Sequence, residues 1–309
     1  MEVLLILLLG LVIDVALGEP PPVIHPVSWM GKVISFLAKG GTGRSPLAQF
    51  LYGLVIVLLT LVVFVTPVYF LLLYLKDLSL VAYVLAGAVL FKITFSLRGL
   101  RQAALRVKNW LEEDKLAEAR FELRSLVGRN TAQLDKSLMV SATVESVAEN
   151  SCDSFVAPLF YFLLFGVPGA IAYRVINTLD AMIGHHGEFE YLGKFAARLD
   201  SVANFIPARI TALSIVLAAW IGKKNASGAW RIMLRDQGKT ESPNAGWTMS
   251  AIAGALGVQL EKVGYYKLGD NQNALSLSTI DASLQITMIT ALIWSLLLIL
   301  AEVIYHATT

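Results

Sequence analysis

The sequence predicts an all-α, polytopic integral membrane protein, and three observations carry that expectation. Hydrophobic residues make up 56% of the 309-residue chain and charged residues only 16%, against about 25% charged in an ordinary soluble domain. The apolar residues are gathered into long runs, and no strand-like alternation of useful length interrupts them. A chain so poor in charge cannot clothe a soluble surface. This composition, with a net charge of only +2, excludes an ordinary cytosolic globule, a disordered chain and a nucleic-acid binder with a basic face. The single cysteine, Cys152, excludes an intramolecular disulfide framework and any C-x-x-C zinc pattern.

The elements follow in order. Residues 3–17 are apolar except for Asp14 and are expected to form a short, retained membrane helix. Glu2 stands where a secretory signal would be basic, and no small-residue cleavage site precedes Gly18-Glu19-Pro20-Pro21-Pro22. That proline run, followed by His25-Pro26, is a rigid turn out of the first helix. Residues 51–75 carry no charge, and at 1.5 Å per residue they cross a hydrocarbon core of roughly 30 Å. Residues 78–97 form a second span in which Lys92 is expected to snorkel to the interface. Residues 155–176 are interrupted by Gly166-Val-Pro-Gly169 and predict a broken or re-entrant hairpin, which a bilayer tolerates only where protein or water covers the backbone. Residues 205–221 are a weaker segment carrying Pro207 and Arg209, and residues 284–304 are a clean C-terminal span.

Basic residues orient these segments. They concentrate in residues 19–50 (Lys32, Lys39, Arg44), 98–154 and 223–281, and are nearly absent from the Lys76-Asp77 connection and from the tail after Ile304. The expectation is a single multi-pass domain over residues 1–309 in the cell membrane, with both termini outside and an active face in the cytoplasm. Loops 98–154 and 223–283 are then cytoplasmic and helical. Residues 98–128 place Leu116, Ala119, Leu123, Leu126 and Val127 on one helix face, and Gly128 stops that helix. Asn130 with Gln133 resembles a capping box for a new helix from about Thr131. Further on, Ser242-Pro-Asn-Ala-Gly-Trp247 precedes a helix rich in small residues (Ala251, Ala253, Gly254, Ala255, Gly257) that suits close packing on another backbone.

Polar residues at the mouths of apolar segments are the candidates for chemistry. Glu145, Glu149 and Asp153 recur at four-residue spacing, about 40° apart per step on one helix face. Like charges so placed repel, and Mg²⁺ held by one or two carboxylates plus substrate phosphates is a usual way to neutralise them. A solvated acidic face accounts for the spacing equally well. Arg174, Asn177 and Asp180 share a helix face beside lipid, where ionisable groups default to function; a structural Arg174–Asp180 contact is the plain alternative. Arg198, Asp200, Asn204 and Arg209 form a third group, and arginine suits bidentate capture of phosphate or carboxylate. Adjacent His185 and His186 point apart on a helix and are read as loop histidines, not a metal pair.

Gly238-Lys239-Thr240 ends like a phosphate-binding loop, but Met233 stands where that motif needs glycine, and no other standard nucleotide or hydrolase motif occurs. The residues alone therefore point to Mg²⁺-dependent chemistry on a phosphorylated or carboxylated substrate. A transporter would instead place its ionisable groups at the midplane of broken helices in two related halves. Here they sit at segment ends and no repeat is visible.

The run Glu145-Ser-Val-Ala-Glu149-Asn-Ser-Cys-Asp153, then Ala157-Pro-Leu-Phe160, Gly166-Val-Pro-Gly-Ala170 and Tyr173-Arg174-Val-Ile-Asn177-Thr-Leu-Asp180-Ala-Met-Ile-Gly184 resembles the adenosylcobinamide-phosphate synthase (CobD/CbiB) family of cobalamin biosynthesis. So do Ala197-Arg-Leu-Asp200, Asn204-Phe-Ile-Pro-Ala-Arg209, Ser242-Pro-Asn-Ala-Gly246 and the N-terminal Asp14, Gly18-Glu-Pro20 and His25-Pro-Val27. They occur in family order over nearly the whole chain.

The resemblance implies ATP-dependent joining of adenosylcobyric acid, a corrinoid, through its propionate carboxylate to aminopropanol or its O-phosphate. The product is adenosylcobinamide or its phosphate. With ATP as co-substrate, Glu145, Glu149 and Asp153 are expected to hold Mg²⁺. Arg129, His25, Ser242 and Asn244 are assigned to the nucleotide. Arg174, Arg198 and Arg209, with Asn177 and Asn204, are expected to bind anionic groups and stabilise charge, and Asp180 or Asp200 to accept the amine proton. The implied partners are these substrates and the lipid bilayer, with a homo-oligomer or association with other corrinoid-pathway membrane enzymes as further options. Three positions depart from the family's common pattern: Asn130 replaces Asp, Ser154 replaces Gly and His185 replaces an aromatic. The first argues against an essential acid at position 130. The alternatives are a Mg²⁺-dependent transferase on another phosphorylated substrate, a non-catalytic protein like the β-lactamase-regulation branch of the superfamily, and a transporter.

Overall fold

A computed structural model describes residues 1–308 apart from 22, 24, 186 and 188. The chain runs α1 (Glu2–Leu17), α2 (Pro26–Lys39), α3 (Pro46–Leu78), α4 (Leu80–Lys92), α5 (Leu97–Glu112), α6 (Leu116–Leu123) and α7 (Lys136–Ser151). A π-helical turn (Cys152–Val156) leads into α8 (Ala157–Ile183), followed by α9 (Lys194–Ala203), α10 (Phe205–Ile221), α11 (Ala226–Asp236) and α12 (Ala245–Leu256). A short hairpin of β1 (Leu260–Lys262) and β2 (Tyr266–Leu268) precedes α13 (Leu277–Thr308). Among the described residues the fold is all-α apart from that hairpin.

Among the described residues, four helical stretches are long and apolar enough to cross a membrane: Pro46–Leu78, Leu80–Glu112, Lys136–Ile183 and Leu277–Thr308. The consecutive α9 and α10 together make a fifth, broken candidate. Helix α1 has 16 residues and so reaches about 24 Å, short of a full hydrocarbon core.

The chain divides into two compact units. The first comprises Met1–Ser96, Ala157–Ala203 and Leu298–Thr309. Within it α1 lies close along α4, because small residues face large ones across the pair. A Cβ on Gly10 would come within 2.8 Å of the Phe91 ring, and one on Gly87 within 2.7 Å of Ile6. The expected break falls inside α8. Gly166 has φ 66° and ψ −160°, a conformation only glycine adopts without strain, and Pro168 denies the helix a donor just beyond it. The chain reverses there: the rings of Tyr161 and Tyr173 stack with centroids 5.3 Å apart, whereas twelve residues of straight helix would separate their backbones by about 18 Å. The segment is a broken helical hairpin, as its Gly-Val-Pro-Gly sequence requires.

The second unit comprises Leu97–Val156 and Asn204–Leu297. Its core is built round α7, in which every residue from Met139 to Ala148 is buried. Helices α11 and α12 cross with backbones in contact, since a Cβ on Gly254 would lie 2.3 Å from the Gly228 carbonyl oxygen. The small-residue helix packs on a backbone, as its composition suggests.

Several sequence expectations need correcting. Residues 98–128 form two helices, because Asp114 adopts φ 56° and ends α5. The next helix starts at Lys136, not near Thr131, and its cap is Asp135, whose carboxylate accepts the Leu138 N–H at 2.8 Å. Asn130 instead closes a local turn by accepting the Ala132 N–H at 2.9 Å. The hairpin was not expected, because three-residue strands leave no readable alternation; Leu260 pairs with Leu268 and both are buried. Lys92 does not snorkel but is 3% exposed and held by acids, as described below.

Candidate functional site

In the second unit the acidic helix is answered by an arginine, a tyrosine and a serine. The Glu145 carboxylate is buried. It accepts from the Ser141 hydroxyl at 2.7 Å and the Tyr266 hydroxyl at 2.9 Å, and it pairs with Arg129 at 3.3 Å. Burial, together with the nearby charge of Glu145, pushes the Tyr266 phenol well above its ordinary value, so it serves as a donor throughout the physiological range. Ser141 also accepts the Glu261 N–H at 2.8 Å, which fastens β1 to α7. Glu145 thus has a full set of protein partners.

Glu149 and Asp153 are half-buried further along the same run. Among the described residues no three His, Cys, Asp or Glu side chains are grouped so as to hold a metal ion. The expected three-carboxylate centre is therefore not preassembled, and Glu145 is given over to Arg129, Ser141 and Tyr266. The hard oxygens of Glu149 and Asp153 fit Mg²⁺, which needs only one or two carboxylates when substrate phosphates complete its shell.

A second group in this unit gathers at the starts of α10 and α12. Arg209 donates to the Phe205 carbonyl at 2.6 Å and to Asn244 Oδ1 at 3.3 Å. Its guanidinium lies 3.5 Å from the Phe205 ring centre and 4.8 Å from that of Trp247, so aromatic faces hold the cation flat. The Ser242 hydroxyl accepts from Asn244 N–H and Ala245 N–H, both at 3.3 Å, and so opens α12. Asn204 is 2% exposed, with the Cys152 thiol 3.9 Å from its Oδ1.

In the first unit, α8 and α9 bring together three of the expected residues. Arg174 donates to the Thr94 carbonyl at 2.8 Å and to Asn177 Oδ1 at 3.3 Å, and Asn177 donates in turn to Asp200 at 3.4 Å. Asp180 lies at the end of α8, with its carbonyl bonded to Gly184 N–H. Arg198 is exposed on α9. His185 contacts the Ala181 carbonyl at 2.8 Å, and His186 lies outside the described residues.

His25 belongs to a separate network in this unit. Its Nδ1 accepts the Val27 N–H at 3.2 Å, which places the ring proton on Nε2, 2.6 Å from Glu19. Glu19 also pairs with Lys92 at 2.6 Å, and Lys92 with Asp14 at 3.1 Å. Burial alone would raise the Glu19 carboxyl, but hydrogen bonds from His25, Lys92 and Ser96 and the Lys92 charge outweigh it and lower the pKa to about 2.

The four residues expected at the nucleotide have different partners within their own units. His25 is engaged by Glu19, Ser242 and Asn244 accompany Arg209, and Arg129 accompanies Glu145. Sequence reasoning also missed Tyr266, because it sits in the unexpected hairpin. It missed the Asp236 cluster too. The buried Asp236 receives a two-pronged contact from Arg235 at 2.7 and 2.8 Å, Lys239 at 2.6 Å and the Gly269 N–H at 2.8 Å. The lysine of the phosphate-loop look-alike is thus part of a structural clasp.

The family model described as CobD/Cbib protein matches residues 7–296. The chain is 54% identical over 307 residues to "Cobalamin biosynthesis protein CobD" of Dehalococcoides mccartyi, covering 99% of each. It is 40% identical to a "Probable cobalamin biosynthesis protein CobD" of Methanothermobacter thermautotrophicus over 94% of this chain and 95% of that one. A protein of the same description from Pyrococcus furiosus is 41% identical over 84% and 85%. No solved structure gives a significant match.

Proposed function

Because this chain belongs to the CobD/Cbib protein family, we propose that it is the membrane enzyme of cobalamin biosynthesis that joins adenosylcobyric acid to aminopropanol or its O-phosphate with ATP. The observation that carries this reading is the 54% identity over 99% of the chain to a cobalamin biosynthesis protein. A carboxylate is a poor acyl donor. Its oxygen would attack the γ-phosphorus of ATP, giving an acyl phosphate and ADP. The amine would then attack the carbonyl carbon, forming the amide and releasing phosphate and a proton.

Mg²⁺ bound by Glu149 and Asp153 would neutralise the nucleotide phosphates. Arg174, Arg198 and Arg209 would bind anionic groups of the substrates and stabilise charge as it develops. Asp180 or Asp200 would accept the proton of the attacking amine, and Asn177, which donates to Asp200, would hold that carboxylate in place. The reaction would take place at the cytoplasmic face of the cell membrane.

The test is an assay of the full-length protein in membranes, supplied with adenosylcobyric acid, aminopropanol phosphate, ATP and Mg²⁺. Amide product dependent on ATP is expected. Replacing Glu149 or Asp153 by Ala should lower turnover at least a hundredfold while leaving expression and melting unchanged. No product from the wild type would refute the ligase, and near-normal turnover in both variants would refute the metal assignment.

A further inference from the structure

We propose that the cavity lined by Arg120, Arg124 and Arg129 in the second unit binds the phosphates of a soluble nucleoside triphosphate. The cavity has a volume of about 510 Å³ and is also lined by Asn130, Thr131, Ala117 and Ala132, with no carboxylate in its wall among the described residues. That size falls in the range of roughly 300–1,000 Å³ usual for small-molecule pockets. Three guanidiniums round one cavity suit a polyanion with several oxygens, since each can present a planar fork of donors to a phosphate.

Each arginine is held by the local structure. Arg120 donates Nε to the Leu134 carbonyl at 3.0 Å, while its own carbonyl accepts from the Thr131 hydroxyl at 2.8 Å. Arg124 sits 4.9 Å over the Phe121 ring. Arg129 is fixed by the 3.3 Å ion pair between its Nη2 and Glu145, and its Nε and Nη2 are enclosed by protein.

Arg129 links the cavity to Glu145, which lies one turn from Glu149 on α7. This places a triphosphate site in the same unit as the carboxylates proposed for Mg²⁺. The identity of the nucleotide as ATP rests on the ligase reading; the anion site itself does not.

Binding of ATP, sodium tripolyphosphate and adenosine to the purified full-length protein by calorimetry tests the site. ATP and tripolyphosphate should bind and displace one another, and adenosine should not compete. Arg124→Ala and Arg120→Gln should each weaken ATP about tenfold, equivalent to 1.4 kcal/mol, with the melting temperature of Arg124→Ala unchanged because that side chain is exposed. Unaltered ATP affinity in both variants would overturn the site, as would tripolyphosphate failing to displace ATP. Nanodiscs of phosphatidylglycerol and of neutral lipid separate the two sources of phosphate: loss of ATP binding only in the anionic lipid would overturn it in favour of a headgroup site. ATP binding that is lost in the variants, in a protein that forms no amide, would uphold the site and refute the ligase. ATP-dependent amide formation with unaltered affinity in the variants would do the reverse.

Discussion

Single residues in this protein are defined by what they are paired with. Lys92 is the clearest case. Placed near the end of an apolar run, it could have reached the interface on its long stem, and only the fold turns it inward, where Asp14 and Glu19 approach its ammonium to 3.1 and 2.6 Å. A buried ion pair contributes little net stability, but removing one partner leaves the other charges stranded. Lys92→Met should therefore destabilise the protein by about 3–5 kcal/mol, seen as a marked drop in melting temperature of the detergent-solubilised protein. A melting point within a degree or two of wild type would show that the acids are satisfied without the lysine. Glu145 makes the same point about legibility. Its spacing with Glu149 and Asp153 is plain in the sequence, but its engagement by Tyr266 joins segments 121 residues apart, and Arg129 reaches it from the preceding loop. No local pattern reveals such a pairing.

At the scale of elements, the apolar runs and punctuating residues were legible and the short irregular elements were not. The 155–176 break could be read because Gly166 and Pro168 act through their own backbones. The α5–α6 break could not, because it depends on Asp114, not a glycine, entering the left-handed region. The packing of α12 on α11 was legible in part: small residues announced a close approach but not its partner. That approach is stringent. A methyl group on Gly254 would lie 2.3 Å from the Gly228 carbonyl and 2.8 Å from Ile232. Backbone atoms cannot move aside as a side-chain tip can, so Gly254→Ala should separate the helices at a cost of about 1–3 kcal/mol. Thermal unfolding would register this as a lower midpoint. An unchanged midpoint would mean that the two backbones have slack.

The whole molecule has two compact units, each with a carboxylate held deprotonated by its neighbours. In one, Glu19 is lowered from 4.5 to about 2. In the other, Asp236 is lowered from 3.8 to about 2, since hydrogen bonds from Arg235, Lys239 and the Gly269 N–H outweigh the effect of burial. Both groups bind protons more tightly unfolded than folded. The stability they supply is thus complete above about pH 4.5 and is lost as pH falls through the folded values near 2. For Asp236 this is on the order of 2 kcal/mol at neutral pH. Melting temperature should fall steadily between pH 4.5 and 2.5, and Asp236→Asn should lower it at pH 7 while flattening that decline. A wild-type melting temperature independent of pH over the same window would remove both clasps from the account.

By itself, the sequence determined what each stretch of chain can bury. Long apolar runs, their glycine and proline breaks, and scarce charges at their ends prescribed a multi-pass helical protein, and the order of its motifs indicated the family. These are local or compositional properties, set by the backbone and by transfer from water. Tertiary structure alone decided which scarce charges meet across the chain: Lys92 with Glu19 and Asp14, Arg129 with Glu145, and Arg235 with Asp270. Ion pairing acts over a few ångströms of space and takes no account of distance along the chain, so the same charges that look evenly balanced in composition become distinct sites only once the helices are packed.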